Sequence, residues 1–112
     1  MKKFIVTYHA PLDALQESAN TSPEEAKKGM EQWYAWAKSC GDKLVDIGQP
    51  LMGGLKLNTD GSSIPSDRQV CGYSILQAED MEDAKKLLKG HPHLNWRSDC
   101  EIEVHESMPL PE

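Results

Sequence analysis

The segment "KGHPHLNW", Lys89 to Trp96, carries two of the chain's four histidines, His91 and His93, on either side of a proline. An imidazole titrates near neutral pH, so either ring can act as acid, base or ligand. Pro92 stiffens the backbone between them, and a helix ending just before it favours a protonated ring at His91. A carboxylate beside that ring would orient it for proton transfer. The plainer use of His91 is to cap the free carbonyls of the helix end. His93 reads as a supporting or surface residue. A His-x-His pair places two imidazoles on one side of an extended segment, with His9 or His105 as a third candidate. Three or four ligands must converge before a metal is held, and spacing establishes no such set, so no metal and no cofactor is expected. Trp96 follows in the same loop and could wall an apolar cleft.

These residues need elements to position them. "KFIVTYH" (Lys3–His9) is rich in β-branched and aromatic residues and reads as a strand with both faces largely covered. "APLDALQESANT" reads as an irregular loop with at most a short helical turn. Ser22, Pro23 and Glu25 then form a capping box with proline at the first helical position. Ala26, Met30, Trp33 and Ala37 recur at helical spacing as one buried stripe, and Gly41 ends the helix. Tyr34 and Trp36 lie off that stripe, free to line a pocket or a subunit contact. "KLVDIGQPL" reads as a strand limited by Pro50 to an edge or a bend. "MGGLKLN" continues it briefly, and Asp60-Gly61 signals a hairpin. "QVCGYSILQA" (Gln69–Ala78) has little charge and belongs in the sheet interior. Asp80 caps a second helix that Gly90 and Pro92 stop. "CEIEVHES" alternates into a last strand with one wet face.

The order β-α-β-β-α-β predicts an α+β fold, the ferredoxin-like split βαβ arrangement with an antiparallel sheet and two helices on one face. A chain of 112 residues is one domain, residues 1–112. Two helices cover one sheet face only, while the strands carry apolar residues on both. A bare face of that kind is expected to pair with a second copy, giving a homodimer whose sheets close into a barrel-like core.

Composition excludes several functions. The formal net charge is -6, which suits phosphate backbones poorly, so nucleic acid is not an expected partner. No apolar run approaches a membrane span, and the stretch after the N-terminal lysines is too short for a signal peptide. A cytoplasmic location is expected. Cys40, Cys71 and Cys100 are odd in number and far apart in sequence, which predicts buried reduced thiols rather than a redox or zinc motif.

"CGYSILQAEDMEDAKKLLKGHPHL" followed by "CEIEVHESMP" resembles the YCII-related family, including its DGPF-type branch. "SPEEAKKGMEQWYAWAKSCGDKLVDIGQPL" is similar to the family's first helix and the strand after it. The resemblance implies a dimeric α+β barrel of ferredoxin-like subunits, with a pocket in each near the C-terminus of the second helix. Many members have a histidine in the first turn of helix one and an aspartate before the proline. Here the first-turn position falls on or near Glu25, and His91 precedes the proline. Either acid and imidazole have exchanged places or the dyad is absent. "NTDGSSIPSDR" keeps Asp-Gly without Pro-Phe, so no motif-specific role passes to Asp60.

The resemblance makes Glu25 the nominated partner of His91, with Asp99 or His9 as other possibilities. His9, His93, Trp36 and Trp96 are the nominated pocket residues. The chain carries no phosphate loop and no nucleotide fingerprint. The expected function is a small enzyme performing acid–base chemistry, such as isomerisation or elimination, on a small organic molecule. The alternative is a non-catalytic ligand-binding or structural homodimer.

Overall fold

A computed structural model describes residues 1–111. Strand β1 (Lys2–His9) leads through helix α1 (Leu12–Ala19) to helix α2 (Pro23–Cys40) and edge strand β2 (Leu44–Asp46). A hairpin of β3 (Leu55–Leu57) and β4 (Ser63–Pro65) precedes β5 (Val70–Ala78), α3 (Met81–Leu88), a 3-10 turn at Pro92–Asn95, and β6 (Glu101–Ser107). The main sheet has the order β2-β5-β1-β6, with β1 antiparallel to both of its neighbours. Each helical crossover skips one strand, which is the ferredoxin-like split arrangement.

Alternation along β1 sends Phe4, Val6 and Tyr8 towards the helices, where all three are buried. Across the ladder Phe4 meets Leu76 and Val6 meets Ser74, and Ala84, Leu88, Trp36 and Cys40 complete that core. The opposite sheet face carries Ile5, Thr7 and His9 beside Tyr73 and Ile75, with Glu103 and His105 on β6.

The helix stops are set by the residues that announced them. Ser22 Oγ accepts from the Glu25 amide at 3.2 Å, and Gly41 ends α2 at φ +59°. Asp80 accepts from the Asp83 amide at 2.8 Å, and Gly90 leaves α3 at φ +74°.

Three expectations are corrected. "LDALQESA" is an eight-residue helix, not a loop. Its Ala14 packs with Ala10 and Cys100 in a second small core, and that tertiary contact outweighs weak local signals. Only the C-terminal half of the expected α2 stripe reaches the core: Trp33 and Ala37 are half-buried, Trp36 and Cys40 are buried, and residues 23–32, with Ala26 and Met30 among them, are exposed. The strand expected over Lys43–Leu51 stops at Asp46, because Gly48 turns at φ +82° against the Tyr73 carbonyl. A Cβ at Gly48 would lie 1.6 Å from that oxygen, so only glycine fits. Pairing resumes as a single bridge between Pro50 and Gly72.

Candidate functional site

Three segments meet above the C-terminal end of β1. β1 contributes Tyr8, α2 contributes Trp33 and Trp36, and the chain after α3 contributes His91 and His93. Gly90 and Pro92 force that chain into a tight turn, whose first residue is His91. Its Nδ1 accepts from the His93 amide at 2.9 Å, and its amide donates to the Leu88 carbonyl at 3.1 Å. The histidine therefore caps the 3-10 turn that follows it, and its ring is carried inward.

The His91 ring is wholly buried among aromatic rings. Its centroid lies 4.3 Å from that of Trp36, 4.5 Å from Trp33 and 5.0 Å from Tyr8, with Trp33 nearly perpendicular at 85°. Among the described residues, each buried polar group of the neighbouring side chains but one has a partner. Tyr8 OH bonds Ser74 Oγ at 2.7 Å, and Ser74 in turn donates to the Ile47 carbonyl. Trp36 Nε1–H donates to the Leu87 carbonyl at 2.8 Å, and His93 Nε2–H donates to the His9 carbonyl at 2.8 Å. The exception is His91 Nε2, which is buried with no hydrogen-bond partner among the described residues. Because Nδ1 accepts an amide hydrogen, the neutral ring carries its proton on Nε2. An unpaired buried donor costs about 1–3 kcal/mol, eased in part where an aromatic face stands against it.

Burial among these rings, with a smaller contribution from His93, pulls the His91 pKa down to about 3. His93 is lowered by burial too, against the opposing pull of the His9 and Glu101 carbonyls. Burial also pushes the Tyr8 hydroxyl up to about 12 despite its bond to Ser74. At neutral pH the cage is therefore uncharged. Beside it, an open cleft of about 340 Å³ runs between α2 and the end of α3, bordered by Gln32, Trp36, Ser39, Lys89, Gly90 and Pro92. A larger hollow of about 520 Å³ lies by Lys2 and Glu106 and includes none of the histidines.

A family model described as the YCII-related domain matches residues 1–106. The chain belongs to the YCII-related family. Comparison with curated proteins finds no match.

Most of the residues nominated in this YCII-related chain meet at the cage. His91, His93 and Trp36 are part of it, and Trp96 stands at its rim, 6.1 Å from His93 and partly exposed. His9 joins through its carbonyl only, since its ring lies on the opposite sheet face. There His9 Nδ1–H donates to the Arg68 carbonyl at 3.0 Å, and Thr7 Oγ1 lies 2.9 Å from Nε2. Glu25 is not brought to His91. It is exposed in the first turn of α2, and among the described residues its carboxylate makes no hydrogen bond or ion pair. Asp99 is taken by Arg97 at 3.0 and 2.9 Å.

Tyr8 and Trp33 were not nominated, although both pack on His91. The signal for Tyr8 was its place on the core-facing parity of β1; for Trp33 it was the three-residue spacing from Trp36, which puts both indoles on adjoining faces of one helix. The three cysteines are free, and burial raises their thiols, so none has the character of a nucleophile. Among the described residues, no three His, Cys, Asp or Glu side chains converge as a metal site, and no helix is long and apolar enough to cross a membrane.

Proposed function

We propose that this YCII-related protein is a small-ligand-binding homodimer, in which His91 acts as a fixed, neutral hydrogen-bonding group rather than as a proton shuttle. The observation that carries the reading is the state of His91: wholly buried, its Nδ1 occupied by a backbone amide and, among the described residues, its Nε2 unpaired and no carboxylate bonded to it. A general base at neutral pH needs a pKa near 7 and a route for the proton. A buried donor in an uncharged aromatic cage suits recognition. The free thiols suit a reducing compartment such as the cytoplasm.

The homodimer is supported by the sheet face that no helix covers. Ile5, Tyr73 and Ile75 adjoin there, and Val45 is exposed at the same edge. Apolar residues in that number on one face are usually met by a second copy. Sedimentation equilibrium should give a dimer mass for the wild type and a monomer for Ile75→Asp. A monomeric wild type would remove this part of the reading.

The proton reading is tested by 15N NMR of His91 between pH 8 and pH 5. The expected result is a neutral ring protonated at Nε2 throughout, unchanged in Glu25→Gln. Titration near pH 7 that moves when Glu25 is neutralised would restore the acid–base enzyme.

A further inference from the structure

Among the described residues the cage has one buried unsatisfied atom and one untethered wall. Tyr8, Trp36 and His93 are each held by a hydrogen bond to Ser74, Leu87 and His9. No hydrogen bond tethers the Trp33 indole among the described residues, and Trp33 is only half-buried. It also begins the packed half of α2, with residues 23–32 before it exposed on every side. The Trp33 ring can therefore leave its place with the loss of packing contacts alone. Its ring stands nearly perpendicular to the His91 ring, with centroids 4.5 Å apart, and it packs on the ring that carries the buried donor without supplying an acceptor in the ordinary sense.

We propose that the cage receives an uncharged, flat, largely apolar molecule that presents one carbonyl-type acceptor to His91 Nε2–H, the Trp33 ring giving way to it. This rests on the reading of the cage as a ligand site and adds the ligand's chemistry. The walls select for it. Tyr8 and Trp36 offer ring surface to a flat apolar body. Among the described residues no cation bonds to the cage rings, Lys89 stands on the adjoining cleft rather than in the cage, and burial holds His91 itself uncharged. A cationic ligand would meet an N–H donor where it needs electron density. A neutral acceptor alone satisfies the orphaned hydrogen and leaves no charge buried. The cleft bordered by Trp36, Gly90 and Pro92 lies next to this space and gives an approach from solvent.

The test uses the full chain and four probes of similar size: acetophenone, ethylbenzene, benzoate and benzyltrimethylammonium. Binding is read by tryptophan fluorescence and by the His91 Nε2 resonance. Acetophenone should bind about tenfold or more tightly than ethylbenzene and should shift that resonance. Trp33→Leu should bind acetophenone more tightly than wild type, because no indole has to be displaced. Equal binding of acetophenone and ethylbenzene would overturn the acceptor assignment while leaving a ligand site in place. Preference for the anion or the cation would overturn it in the same way. A His91 resonance that stays fixed while acetophenone binds would mean that water or the Trp33 face already satisfies the donor, and the proposal fails. Binding of no probe by either protein would overturn the ligand site together with the proposal.

Discussion

Two groups of histidines sit on opposite faces of one strand. On the helix side, His91 and His93 are buried among rings, bond to backbone groups and, among the described residues, bond no carboxylate. On the open side, His9 and His105 flank Glu103, with His105 Nε2 at 2.9 Å and His9 Nε2 at 4.0 Å from its carboxylate oxygens. The same side chain is thus a neutral packing and hydrogen-bonding group in one place and a partner for charge in the other. Desolvation decides the first case, because the imidazolium would lose its hydration and gain no counter-charge. On the open face the histidines hold the Glu103 carboxyl below its usual range, and in the single chain water screens the group. The resemblance to the family nominated an acid, Glu25, as the partner of the ring that is buried here. In this chain an acid, Glu103, stands instead beside the two histidines of the open face.

That contrast can be broken most severely at Trp36. Trp36→Ala should empty the cage wall, leave the Leu87 carbonyl unpaired and cost about 3–5 kcal/mol, read as the midpoint of denaturant unfolding. Trp36→Phe, which keeps most of the ring surface, should lose much less.

The next effect is the pH dependence of stability. His91 has a folded pKa of about 3 against 6.5 for the ordinary group, so between those values the unfolded chain binds the extra proton. Stability should be full above pH 6.5 and fall as the pH drops towards 3, by an amount on the order of a few kcal/mol. His93, lowered in the same direction, adds to the slope. Between pH 6.5 and 5 the carboxylates hardly titrate, so unfolding curves in that range isolate the histidines. A flat profile there would mean that His91 is solvated.

The smallest effect belongs to the open face. In the monomeric Ile75→Asp background, Glu103→Gln should leave the unfolding midpoint within error of that of Ile75→Asp alone, since the carboxylate is more than half exposed in the single chain. A large loss would show that the two faces are less different than their burial implies.

Much of the fold was legible because its signals are local. The Ser22-Pro23 and Asp80 caps, the Gly41 and Gly90 stops, the Asp60-Gly61 turn and the alternation of β6 each act within a few residues. α1 was not legible, because Ala14 is helical for the sake of partners at Ala10 and Cys100, one of which is distant in sequence. The exposed first half of α2 was equally hidden: Ala26 and Met30 continue the helical stripe, but spacing cannot say where the neighbouring layer ends. At the site, His91 and His93 were visible as chemistry-bearing residues beside a proline. Glu25 was placed beside His91 by resemblance, and a capping position on the exposed end of a helix cannot also reach the buried turn.

The sequence by itself determined the split βαβ order, both helix stops and the placing of His91 at a rigid turn, since propensity, caps and alternation depend on near neighbours. Only the tertiary structure decided what surrounds that imidazole. Tyr8, Trp33 and Trp36 come from two elements far away along the chain, and their combined desolvation, a property of three-dimensional packing, removes the charge from His91.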